Sequence, residues 1–276
     1  MSPKLLRRAT ALAAILSLAA AGTASAKGQR YDDRPGSGRV LFALTDQNQL
    51  LRLNSTKPER LKDVRSITGL NGTKLQGIDF RPATGDLYGL GADSVVYRIN
   101  PRTGIAIAEG PAVTPPLTGR FFGFDFNPTV DKIRVTSDAG TNLRLNVDEG
   151  NLLATDGALN PGMPRVVGSA YTNSSFSATL PGATMLYAID SATDTLSLQN
   201  PPNAGTLTTV RRLPFDIADQ AGFDIAGDDN VGYIATRARR GSVLYTVDPA
   251  TGKSRFAGQI GGGRRLVVTG LAAWQD

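Results

Sequence analysis

The 276-residue chain contains no cysteine, no histidine and a single tryptophan. Without cysteine there is no disulfide, no thiolate nucleophile and no sulfur-ligated metal. Without histidine there is no Ser-His-Asp triad, no imidazole general base and no imidazole ligand. Any chemistry must rest on carboxylates, Lys, Arg, Tyr or hydroxyls, which removes most hydrolase mechanisms. Helical patterning is missing too. Beyond residue 26, apolar residues nowhere recur at three-and-four spacing for three turns, so helices should be rare. Nor is any later segment apolar for long enough to cross a bilayer.

What is present begins with a tripartite leader. Lys4, Arg7 and Arg8 make a basic start, residues 9–21 are Ala/Leu-rich, and Ala24-Ser25-Ala26 offers small residues for cleavage. That is the layout of a secretory signal peptide, with an apolar run too short to span a membrane. Arg7-Arg8 raises twin-arginine export, but the pair runs into Ala9-Thr10-Ala11 instead of bulky apolar residues, which favours general secretion. The expected location is secreted, periplasmic or otherwise extracytoplasmic, without a lipid anchor. Cleavage near Ala26 removes three basic residues and no acidic one, taking the formal net charge from +6 to +3. So mild a surplus predicts no nucleic-acid partner. Residues 27–38, KGQRYDDRPGSG, are polar and turn-rich and read as a flexible leading segment before a single domain at 39–276.

Two marks repeat through that domain. An Asn or Asp closes an apolar run at Asn54, Asn100, Asn146, Asn200 and Asp248, at spacings of 46, 46, 54 and 48. A glycine opens another at Gly77, Gly123, Gly168, Gly222 and Gly270, at spacings of 46, 45, 54 and 48. Periods of this size mean a propeller or solenoid. Within the second unit, GIDF, LYGL, VVYRIN and IAIAEG are four short runs separated by turn residues, the pattern of a four-stranded blade. In INPRTG and VDPATG the Asn or Asp side chain bonds the backbone two residues on, Pro presets the first dihedral and Gly supplies a left-handed exit. These turns read as the hairpins between third and fourth strands. The first unit enters directly at VLFALT (40–45), and the chain ends on a glycine-led VTGLAAW. The expected fold is therefore an all-β, five-bladed β-propeller of four-stranded blades, with residues 268–274 completing the first blade.

The first-to-second and third-to-fourth turns of such blades lie on one face, and ligands usually bind the other. Three features compete for a role. Asp79, Asp125 and Asp224 occupy matching places in glycine-led strands near the axis, where Ala170 and Ala272 stand in the remaining blades. A carboxylate ring suits Ca²⁺, which takes several oxygens; alternatively these side chains accept buried backbone N–H groups from neighbouring blades or turns. Arg237, Arg239 and Arg240 in one loop, with Arg264 and Arg265 in a blade connection, suit anions of carboxylate, phosphate or sulfate type, or form a solvated patch. No aromatic alternates with them, as single-stranded nucleic acid would require. The fourth unit is longer through SSFSATLPGAT (174–184), on the tight-turn face. The stretch GQIGGGRRL is not a phosphate loop, since no Lys-Ser/Thr follows the glycines.

The stretches GIDFRPATGDLYGL, VVYRINPRTG, GFDFNPTVDKIRVTSDAGTNLRLN, AYTNS and LYTVDPATG together make the chain resemble a family of secreted bacterial proteins, the domain of unknown function 4394 family, across roughly residues 40–274. The resemblance implies a signal peptide and a β-propeller-like domain, with no assigned activity and no catalytic residues to carry over. The expectation is a monomeric, exported, non-enzymatic propeller that binds an extracytoplasmic ligand or protein, with no cofactor. The alternatives are a Ca-dependent hydrolase or lactonase using Asp79, Asp125 and Asp224, and a cell-envelope scaffold whose arginines touch anionic polymers.

Overall fold

The computed structural model describes residues 38–275. The leader at 1–26 and nearly all of the leading segment lie outside the described residues. The strands are β1 (Val40–Thr45), β2 (Gln49–Asn54), β3 (Asp63–Ser66), β4 (Leu75–Phe80), β5 (Leu87–Gly91), β6 (Val96–Ile99) and β7 (Ala106–Ala108). They continue with β8 (Phe122–Asn127), β9 (Lys132–Ser137), β10 (Asn142–Leu145), β11 (Leu152–Thr155), β12 (Val166–Tyr171), β13 (Leu186–Asp190), β14 (Thr195–Gln199) and β15 (Leu207–Arg212). The last five are β16 (Ala221–Ile225), β17 (Gly232–Ala238), β18 (Gly241–Val247), β19 (Ser254–Gln259) and β20 (Val268–Ala273).

Four blades are sequential meanders, β4 to β7, β8 to β11, β12 to β15 and β16 to β19. The first blade has the order β20-β1-β2-β3, and β20 pairs antiparallel with β1, Leu41 opposite Ala273 and Ala43 opposite Leu271. The five-bladed ring and its closure by the C-terminal strand are as the repeat predicts. Closure covers the inner edge of β1, which would otherwise be unpaired at the seam of the ring.

Each blade packs its neighbours on both faces, so the inner strands are buried nearly throughout: β12 is buried at every position, as is β1 beside the closing strand. Outer strands face solvent and turn polar, as in the LTTVRR of β15. The glycine that opens each inner strand has a packing cause. A Cβ on Gly77 would lie 2.9 Å from Phe124 Cβ, one on Gly168 would lie 2.9 Å from Phe223 Cβ, and one on Gly222 would lie 2.7 Å from Leu271 N. In every case the contact is the residue after the next blade's glycine. Only hydrogen fits where five strands converge on the axis.

The Asn-Pro turns do more than reverse the chain. Asn100 Oδ1 accepts from Arg102 N at 3.0 Å and Asp248 Oδ1 from Ala250 N at 2.9 Å, while Gly104 and Gly252 take φ of +78° and +67°. Each turn also clasps the preceding blade. Thr68 N–H donates to Gly104 O at 2.9 Å, Asn160 N–H to Gly205 O at 2.8 Å, and the Arg211 guanidinium to Thr251 O at 2.8 Å. Gly261 N–H reaches Pro58 O at 2.9 Å across the closing seam. The most repeated motif is thus a belt round the outside of the ring.

Candidate functional site

The axis holds the three aspartates that the sequence singles out. Asp79, Asp125 and Asp224 sit two residues after the glycines of β4, β8 and β16, so they share the glycine face and lean toward the next blade. One carboxylate oxygen from each lies within 4.8 Å of the others, and all three residues are at most 3% exposed. The glycine ring leaves a space of only about 10 Å³ on one side, the threshold for a single water. On the other side the long 174–184 loop crosses the face. Its Phe176 meets Trp274 at 4.7 Å and Phe80 at 6.0 Å between ring centroids, and Ser177 N–H donates to Pro82 O at 3.2 Å.

The inner strands have an edge with no neighbouring strand, and each leaves a buried N–H there that must find an acceptor. Three carboxylates serve all five. Asp79 accepts from Phe126 of the next blade at 2.8 Å, Asp125 from Tyr171 at 3.0 Å, and Asp224 from Ala273 at 2.5 Å. Ala170 and Ala272 offer no acceptor to the blades after them. Those two donors, Ile225 and Phe80, fall instead to the aspartate preceding each: Ile225 N–H to Asp224 at 2.6 Å and Phe80 N–H to Asp79 at 2.7 Å. The hydrogen-bonding alternative therefore accounts for every carboxylate of the ring.

Burial in this cluster pushes all three acids up. For Asp79 and Asp125 the neighbouring carboxylates add to burial and hold both well above the usual range. Asp224 rises to about 7 through burial, restrained by the N–H groups of Ala273 and Ile225 and by a hydrogen bond from Asp125. Asp125, with one backbone donor against two for each partner, is placed to donate to Asp224. As ligands for a cation, the three could each offer one oxygen. Calcium takes six to eight, and most of the oxygens here already accept N–H groups.

The arginines stand where the sequence places them. Arg237, Arg239 and Arg240 occupy the exposed end of the β17–β18 hairpin, and Arg264 and Arg265 the exposed β19–β20 connection. The structure brings the two loops together through Ser242 N–H donating to Leu266 O at 2.8 Å. They remain far in kind from the aspartates, exposed where those are sealed.

The sequence did not single out a cavity of about 630 Å³ between the fourth and fifth blades. It lies on the face of the tight turns, at the foot of the long loop, where the repeat pattern argued against binding. One wall is Thr172, Asn173, Met185 and Tyr187; the other is Asp229, Asn230, Thr246 and Asp248, with Lys253 at the rim. Asn173 and Asn230, both left-handed at φ of +60° and +55°, lock the walls: Asn230 Oδ1 accepts from Asn173 N at 2.8 Å and its side-chain amide donates to Asn173 Oδ1 at 2.9 Å. The Tyr187 hydroxyl has only the Met185 sulfur at 3.8 Å, a weak acceptor. Burial and the Asp248 charge raise its pKa, so it stays a donor. The Asp248 carboxylate is held below its ordinary range, chiefly by the Thr251 hydroxyl. Lys253 has no ion-pair partner among the described residues. The one sequence signal was the added length of unit four.

Several solved structures are similar to the chain over most of its length. The propeller in "Structure of Dos1 propeller" aligns with a TM-score of 0.42 and 12% identity, covering 79% of this chain and 61% of that one. A structural-genomics protein of unknown function from Bacteroides thetaiotaomicron gives 0.47 and 15%, over 79% and 57%. An auxiliary nutrient binding protein from the same organism gives 0.45 and 13%, over 86% and 64%. The chain spans less than two thirds of the length of each. No curated protein matches the sequence. Among the described residues no helix is long and apolar enough to cross a membrane. Residues 32–272 match the family described as Domain of unknown function (DUF4394), and the chain belongs to that family.

Proposed function

We propose that this protein is an exported, non-enzymatic binding propeller whose ligand occupies the cavity between the fourth and fifth blades. The observation that carries this reading is a preformed cavity of about 630 Å³ whose Tyr187 hydroxyl and Lys253 ammonium lack a strong internal partner. Ligand sites are typically clefts of ~300–1,000 Å³ in which a few convergent polar groups fix orientation. The donors favour a ligand rich in acceptors, and Asp229 and Asp248 favour one that also carries hydroxyl or ammonium groups. A small zwitterion or sugar has that chemistry. The enzyme reading draws less support: the chain lacks His and Cys, and the one compact carboxyl cluster among the described residues is buried and largely taken up by backbone donors. Export rests on the leader at residues 1–26.

The test is thermal-shift screening of amino acids, dipeptides, mono- and disaccharides against the wild type and three variants. A hit should lose its shift in Tyr187→Phe and Lys253→Ala. It should also vanish in Ala250→Trp, which fills the cavity mouth from an exposed turn. A shift that survives Ala250→Trp, or no shift with any class, would contradict the proposal.

A further inference from the structure

Two groups of arginines in this protein differ sharply in their partners. Arg39, Arg81, Arg98, Arg134, Arg144 and Arg165 each meet an Asp or Glu at 2.5–2.8 Å. Arg237, Arg239, Arg240, Arg264 and Arg265 are exposed, and among the described residues none has an ion-pair partner or a side-chain hydrogen bond. Arg102, Arg120, Arg211 and Arg255 also lack a carboxylate partner among the described residues, so what distinguishes this place is that five such guanidiniums stand on two touching loops.

Their two loops form a single surface. Besides the Ser242–Leu266 bond, Val268 N–H donates to Ser242 Oγ at 2.9 Å and the Gln259 side-chain amide donates to Arg240 O at 2.8 Å. A Cβ on Gly241 would lie 2.9 Å from Arg264 O, so the backbones are in direct contact. The adjoining Gly261–Gly263 turn is left-handed throughout, with φ of +73°, +59° and +97°. Gly261 N–H is taken by Pro58 O, but those of Gly262, Gly263 and Arg265 have no acceptor among the described residues. Unspent amides in a turn add neutral donors for an oxyanion. Five guanidiniums held on touching loops repel one another, and that repulsion is relieved by an anion from outside.

We propose that this surface binds a linear polyanion carrying tetrahedral oxyanions, phosphate or sulfate, along a flexible chain. Guanidinium forks match such groups in pairs, and the spread over two loops calls for several anions on one molecule. A nucleic acid fits less well. Base stacking needs aromatic faces interleaved with the cations, and neither arginine loop, 237–241 or 260–267, contains an aromatic residue.

The full chain, Arg239→Glu/Arg240→Glu and Arg264→Gln/Arg265→Gln are compared for binding to long-chain polyphosphate, to heparin and to mixed-sequence single-stranded DNA over a salt series. Circular dichroism and thermal midpoints establish that the exposed substitutions leave the fold intact. The wild type should bind polyphosphate, heparin or both more tightly than DNA; polyphosphate alone identifies phosphate and heparin alone identifies sulfate. Each double variant should weaken binding, with the slope of log affinity against log salt falling by about two. Arg102→Glu/Lys132→Glu, equal in charge change to the first variant but on other blades, should bind like the wild type. Equal weakening by that control would reduce the effect to net charge and overturn the proposal. Absence of binding at low salt, or DNA bound as tightly as the other polymers, would overturn it as well.

Discussion

Asp79 and Asp125 occupy equivalent places in adjacent blades, yet replacing each with asparagine should have opposite consequences. Both oxygens of Asp79 accept a backbone N–H, from Phe126 and from Phe80. An amide has one acceptor oxygen, so Asp79→Asn turns an NH₂ toward one of those donors and leaves it buried and unpaired. The expected cost is about 1–3 kcal/mol. Asp125 accepts from Tyr171 alone and donates to Asp224. Asp125→Asn preserves both bonds and removes an acid that burial disfavours in its charged form. Chemical denaturation at pH 8 should find it as stable as the wild type or more so; a loss comparable to that of Asp79→Asn would refute the accounting of donors and acceptors. The sequence contains the clue to this asymmetry, because Ala170 and Ala272 mark where an acceptor is missing. It does not contain the answer, since which N–H falls to which oxygen depends on how closely the blades approach.

At the scale of elements, what was legible is what every blade must repeat. Glycine at Gly77, Gly123, Gly168 and Gly222 is imposed by the same crowding, and Gly270 packs almost as closely at 3.3 Å, so their spacing reveals the blades and the C-terminal closure. The Asn-Pro turns were legible as turns, but their second role was not. The bonds from Thr68 to Gly104 and from Asn160 to Gly205 join segments of adjoining blades that share no sequence signal. The cavity was illegible for a related reason: Thr172 and Thr246 lie far apart in sequence, and one wall is the repeat's own VDPATG turn, which reads as turn chemistry alone. Closure gives a prediction at this scale. Deleting 268–276 removes β20, exposes the inner edge of β1 and takes away the Ala273 donor of Asp224. Cooperative unfolding by calorimetry should be lost, and a truncated chain that still unfolds in one sharp transition would count against a ring sealed by that strand.

For the whole molecule, carboxyl groups of two opposite kinds shape the response to pH. Asp156 is held below its ordinary range by Arg144 and Arg134, whose guanidiniums it accepts at 2.8 and 2.6 Å. Its stabilisation is present above the unfolded carboxylate range, near pH 4, and is lost on further acidification. The axial acids are shifted upward, Asp224 to about 7. The folded state then binds protons that the unfolded chain releases, so their contribution is full below about pH 4 and declines as pH rises through 7. The propeller should be most stable in mild acid. The same cluster decides between a structural axis and a metal centre, and hence whether function belongs at the axis or at the blade 4–5 cavity and the arginine loops. The most direct measurement is the thermal midpoint of the wild type and Asp125→Asn at pH 5 and pH 8, each with and without millimolar Ca²⁺. A structural axis predicts no Ca²⁺-dependent shift, a wild type less stable at pH 8 than at pH 5, and a smaller pH difference in the variant. A wild-type midpoint raised by Ca²⁺ at pH 8, with the increase lost in Asp125→Asn, would contradict it.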